Sequence, residues 1–207
     1  VCSDHGELHG EFGRYGHEFA VYDPLVNVPL LLKHPAIDAD RTDEQVELLD
    51  LYDTVLDIAD ATAAPEKING RPFEPERSLL SSGRRIADGE FAFIEYGRPT
   101  VELRQLESKA AAAGITIDPE SQFYARTRAA RLPEGKYIRH DRIDDEAYSL
   151  DGTSIEGERL PEEDPLRAEL TDVLDRFETR YGCQWGIDTG PTRDVSGMAQ
   201  ATKRRLR

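Results

Sequence analysis

The chain has 207 residues, 41 of them acidic and 26 basic, with a formal net charge of −15. That length holds one large domain, or one and a half small ones, and can bury a sizeable core. The charge argues against a nucleic-acid partner, because phosphate contacts need clustered Lys and Arg.

Only five of the basic residues are lysine. Few lysines, many carboxylates and modest apolar content suggest a salt-loving, haloarchaeal source. No stretch reaches the roughly 20 apolar residues that span a bilayer, so no membrane segment is expected. Two cysteines, Cys2 and Cys183, make no disulfide framework. Val1-Cys2 runs straight into a polar turn, as the last residues of a buried strand would, and Cys2 is expected to be a buried structural thiol. Both chain ends read as cut, which would leave any signal peptide upstream.

The predicted elements follow in order. Residues 6–16 form a loop with glycines at 6, 10, 13 and 16, which lets the backbone turn sharply near a ligand. Tyr22-Asp23-Pro24-Leu25 reads as a helical turn. Residues 28–32 are a short apolar run, consistent with a buried strand. Residues 42–60 predict a helix with Thr42 and Gln45 as its capping box. Its wide apolar face includes Val46, Leu49, Val55, Leu56 and Ala59. Residues 61–75, rich in Ala and Pro, mark a boundary. Residues 1–62 would then be the end of one domain and 63–207 a smaller α+β unit.

That second unit starts with a strand at 90–96. A helix at 101–113 follows, stopped by Gly114 as its C′ residue. Two paired strands at 124–131 and 136–140 are joined by Leu132-Pro133-Glu134-Gly135. Residues 146–150 form another strand. Asp164 then caps a helix with Pro165 in its first turn, and Leu166, Leu170, Val173, Leu174, Phe177 and Tyr181 line its inner face. Strands followed by a closing helix imply a small antiparallel sheet packed with helices. The basic run at 203–207 suits a helix C-terminus.

Asp4 and His5 carry the clearest chemistry. They stand side by side before a glycine, at the C-terminal end of the expected strand, where open α/β sheets bind ligands. A carboxylate and an imidazole suit a divalent ion. Alone the pair is a weak sign.

Its surroundings are more specific. Ser3-Asp4-His5-Gly6-Glu7, then Gly10-Glu11, Gly13, Gly16-His17, Tyr22-Asp23 and Val28-Pro29-Leu30, resembles the signature of the sulfatase branch of the alkaline phosphatase superfamily. Residues 45–60, Gly70-Arg71-Pro72, Arg77-Ser78-Leu79-Leu80, 124–138 and 146–150 resemble later segments of the same family. The resemblance implies an α/β fold: the C-terminal part of an alkaline-phosphatase-like sandwich, followed by a small antiparallel sheet packed with helices.

It also implies roles. Asp4 and His5 would be metal ligands, for Ca²⁺ in preference to Mg²⁺ or Mn²⁺. His17 would contact the sulfate ester and help the leaving group depart, which a proton donor or cation does by stabilising developing negative charge. The substrate would be a small-molecule or carbohydrate sulfate ester. The nucleophile would be a formylglycine made within C/S-x-P-x-R. Neither Cys2 nor Cys183 begins that motif, so the nucleophile is expected upstream.

Two positions depart from the family. Phe12 stands where a second His is frequent, with His9 three residues earlier, and Asn27 stands where Arg is usual. Glu7 is expected to hold the loop by hydrogen bonds. The competing readings are a phosphate or phosphonate ester hydrolase or phosphotransferase of the same superfamily, and a non-catalytic acidic binding module.

Overall fold

The computed structural model describes residues 1–59, 67–68, 71–72, 77–81, 91–152 and 155–182. The expected domain boundary, Cys183 and the basic run at 203–207 lie outside these residues.

The elements are β1 (Leu8–His9), β2 (Tyr15–Gly16), α1 (Asp23–Val26), α2 (Asp50–Ile58), β3 (Lys67–Ile68), β4 (Arg71–Pro72), β5 (Ala92–Tyr96), α3 (Thr100–Ala112), β6 (Thr127–Leu132), β7 (Gly135–His140), β8 (Glu146–Ser149) and α4 (Pro165–Tyr181). The fold is mixed α/β. Its centre is a four-stranded antiparallel sheet in the order β5-β6-β7-β8, and β1-β2 and β3-β4 form separate two-stranded pairs.

Side chains alternate between the two faces of a strand, and here both faces are covered. On one face Phe93, Ala130, Tyr137 and Ala147 meet Leu170, Val173, Leu174 and Phe177 of α4. On the other, Ile94, Ala129, Ile138 and Tyr148 meet Leu8, Val21, Tyr22 and Leu25 from the start of the chain. A sheet buried on both sides needs small residues where layers come close, and Ala129, Ala130 and Ala147 are fully buried.

Charged residues alternate in step with the apolar ones. On the α4 face, Arg128 donates to Glu95 and Glu178 at 2.9 and 3.0 Å. Arg139 donates to Glu178 and Asp175 at 2.6 and 2.8 Å. On the opposite face, Lys136 is fully buried and lies 2.9 Å from Asp23 and 3.0 Å from Glu156. Arg131 also donates to Asp23, at 2.9 Å. Buried charge is tolerated only when paired in this way.

The expected hairpin pairs Thr127 with His140 and Leu132 with Gly135, leaving Pro133 and Glu134 as the turn. α3 ends as a Schellman motif: Gly114 has φ 70°, and Ile115 N–H donates to the Ala110 carbonyl at 2.8 Å. Asp164 caps α4 by accepting from Leu166 N–H at 2.8 Å.

Four expectations are corrected. The helix predicted from residue 42 starts at Asp50. Side chains just before it are taken by other elements: Gln45 accepts from Arg131, and Glu47 accepts from Phe93 N–H and from Arg77. The buried face of α2 is Asp50, Asp53 and Thr54, while Val55 is 61% exposed. Arg77 is the reason, because it donates to Asp50 at 2.8 Å and draws the acidic side of the helix inward.

The run at 28–32 forms a single bridge, Leu30 to Cys2, and not an extended strand. Leu31 is 64% exposed. Cys2 is exposed, not buried, because Leu30 is its one strand partner among the described residues. No described helix is long and apolar enough to cross a membrane.

Candidate functional site

The loop at residues 3–17 is held by the fold beneath it. Tyr22 and Asp23 are anchored on the sheet face: Tyr22 donates to Glu146 at 3.0 Å, and Asp23 sits between Lys136 and Arg131. These anchors set α1. Gly6 N–H then donates to the Leu25 carbonyl at 2.8 Å. A Cβ at Gly6 would lie 1.9 Å from the Pro24 carbonyl oxygen, so only glycine allows this approach. Further along, Phe19 N–H donates to the Tyr96 hydroxyl at 3.0 Å and ties the end of the loop to β5.

The Glu146 carboxyl shows how firmly this base is set. Burial pushes its pKa up, but hydrogen bonds from His140, Tyr148 and Tyr22 outweigh burial and hold it at about 2. Tyr22 in turn is pushed up to about 12, chiefly by burial and then by Glu146.

Between these anchors the β1-β2 hairpin pairs Leu8 with Gly16 and His9 with Tyr15. One step beyond the Leu8 pair, Glu7 stands across from His17. Its carboxylate accepts from His17 Nδ1 at 3.0 Å. The expectation that Glu7 braces the loop by hydrogen bonds therefore has a definite partner. The His5 and His17 rings stack with centroids 4.2 Å apart. Ser3 Oγ donates to the His5 carbonyl at 2.7 Å, and Asp4 Oδ1 accepts from His5 N–H at 3.0 Å.

The sequence-predicted residues thus come together unevenly. His5 and His17 are neighbours. Asp4 Oδ2 lies 3.8 Å from His5 Nε2, with the Asp4 side chain 88% exposed. Among the described residues, the three groups that offer ligand atoms within 4.8 Å of one another are His5, Glu7 and His17. Glu7 is the member that sequence reasoning passed over as a ligand. Its signal was the hairpin register, which the glycine-rich spacing hides.

The electrostatics favour a cation. Backbone hydrogen bonds at His5, then its own amide and the His5 ring, hold the Asp4 carboxyl below its usual range. The Glu7 hydrogen bond raises the His17 pKa, opposed by slight burial and assisted by Glu18 and Asp4. Glu18 Oε1 lies 3.7 Å from His17 Nε2. Three carboxylates surround two imidazoles on an accessible loop.

The position of the family's frequent second histidine has another use here. Phe12, with φ 54°, stacks on the Tyr22 ring with centroids 3.9 Å apart, and the Arg14 guanidinium carbon lies over the same ring, 5.6 Å from its centroid. Both side chains fasten the loop to the Tyr22 anchor.

No family model, curated protein or solved structure matches the chain.

Proposed function

We propose that this chain carries the metal-binding and leaving-group side of a sulfuric ester hydrolase, within an alkaline-phosphatase-like sandwich completed by residues outside it. One observation carries the reading. The ordered residues Asp4, His5 and His17 gather on one exposed loop, with the rings of His5 and His17 4.2 Å apart. Their order in the chain resembles the sulfatase signature, and Tyr22-Asp23 of the same signature forms the base on which the loop stands.

The donor set fits a divalent ion in part. The Asp4 carboxylate and His5 Nε2 lie on the same side of the turn, 3.8 Å apart. Ca²⁺ takes six to eight oxygens, so the other ligands come from outside this loop. When bound, the ion supplies positive charge to the ester oxygens. The chain's own contribution is His17. Glu7 holds its Nδ1–H and steadies the ring, so the imidazolium would give its Nε2 proton to a departing alkoxide or phenoxide.

The nucleophile is not proposed among these residues, because no C/S-x-P-x-R occurs in the sequence. Tests belong on the whole protein that carries this chain. Release of 4-nitrophenol from its sulfate is expected, with His17→Ala lowering kcat by about 10²–10⁴, the range for a general acid. Asp4→Ala is expected to abolish the metal dependence. Wild-type turnover in Asp4→Ala would sink the assignment. Faster turnover of the phosphate than of the sulfate ester moves the reading to the phosphoryl-transfer branch. Turnover of neither leaves a binding module.

A further inference from the structure

The donor set on the loop points to a different ion from the one the signature implies. Ca²⁺ and Mg²⁺ are hard cations that take oxygen ligands, whereas imidazole suits Zn²⁺ and its neighbours. Here two imidazoles and one carboxylate offer atoms within 4.8 Å of one another. We propose that His5, Glu7 and His17, which flank the β1-β2 hairpin, form a three-ligand site for a borderline divalent transition metal such as Zn²⁺.

Four features of the loop support the site. First, His5 Nδ1 is 2.8 Å from the Gly6 carbonyl, which can only accept, so Nδ1 carries the proton and Nε2 keeps its lone pair for a metal. Such a second hydrogen bond normally fixes the tautomer of a metal-binding histidine. Second, Glu7 Oε2 and His17 Nδ1 are 3.0 Å apart. Two ligands about 2.1 Å from a tetrahedral Zn²⁺ stand roughly 3.4 Å apart. For that pair an ion can therefore replace the shared proton with a few tenths of an ångström of movement, while His5, stacked on the His17 ring, turns to bring Nε2 onto the ion.

Third, the supporting backbone is constrained. Gly6 is locked against α1, and the Leu8–Gly16 pair holds Glu7 and His17 side by side at the open end of the hairpin. Fourth, Glu18 and Asp4 lie beside the imidazoles and add negative charge around the ion. Three protein ligands leave the fourth tetrahedral position to water or another small ligand. The site stands without the ester-hydrolase reading. Where both hold, Zn²⁺ competes with the Ca²⁺ for His5 and with the substrate for His17.

The test is calorimetric titration of the metal-free chain with ZnCl₂, alongside the visible spectrum of the Co²⁺ form. Saturable binding of one equivalent is expected, with intensified Co²⁺ bands that mark a four-coordinate site. His5→Ala, Glu7→Gln and His17→Ala are each expected to weaken Zn²⁺ binding at least tenfold. His9→Ala and His34→Ala should bind as the parent does, and excess Ca²⁺ should not displace Zn²⁺. Circular dichroism checks that each variant is folded. An absence of saturable binding overturns the site. So does unchanged affinity in folded His17→Ala and Glu7→Gln, or an octahedral Co²⁺ spectrum in the parent. Sulfate ester turnover is measured separately, so either proposal can fail without the other.

Discussion

His17 is the residue whose behaviour the loop determines most directly. Its ring nitrogen faces the Glu7 carboxylate at 3.0 Å, and that bond favours the charged imidazolium. The pKa is raised, so the protonated form stabilises the folded loop. This contribution is fully present below the unfolded value of about 6.5 and is lost as pH rises through the higher folded value. In metal-free protein, the His17 ring proton shift is expected to titrate above the free-histidine value of about 6.5 by NMR. Glu7→Gln should return it to the ordinary range; an unchanged midpoint would show that Glu7 is not the cause. Gly6 matters at the same scale for a steric reason, since any side chain there meets the Pro24 carbonyl.

At the scale of elements, the decisive joint is between α1 and the sheet. Asp23 reaches the sheet face and meets Lys136 and Arg131, while its backbone N–H donates to Glu156 at 2.7 Å. Lys136 is fully buried, and among the described residues its ammonium has Asp23 and Glu156 to replace water. Lys136→Met keeps most of the stem volume but leaves the Glu156 carboxylate facing Asp23 with no ammonium between them. Removing one partner of a buried pair costs about 3–5 kcal/mol. Urea unfolding should show that loss in the midpoint. A change under about 1 kcal/mol would mean that the pair contributes little.

The same joint explains which elements could be read from the sequence. α3, α4, β7 and β8 follow local signals: a Gly stop, an Asp-Pro cap and alternation. The start of α2 does not, because Gln45 and Glu47 are bound by Arg131, Phe93 and Arg77, residues 30 or more positions away in sequence.

For the whole molecule, charge is the dominant variable. A net charge of −15 repels itself, yet the buried pairs are sheltered from solvent. Raising ionic strength from 0.1 M to 1 M shortens the Debye length from about 10 Å to about 3 Å, which screens exposed carboxylates far more than buried ones. The melting temperature is therefore expected to rise with KCl over that range, as followed by differential scanning fluorimetry. A fall would mean that exposed ion pairs outweigh the repulsion.

The sequence by itself determined the acidic surface, the four strands β5, β6, β7 and β8, the helices α3 and α4, and the position of Asp4, His5 and His17 on one glycine-rich loop. Those features depend on composition, on alternation and on residues close in the chain. Tertiary structure alone decided the rest. It turned α2's acidic side inward toward Arg77, left Cys2 and Leu31 exposed, and covered the second sheet face with the start of the chain. It also set Glu7 against His17, through a hairpin register and a base of buried charge that no local pattern records. Short-range spacing specifies elements. Which faces they bury, and which side chains meet at a site, depends on contacts between residues distant in sequence.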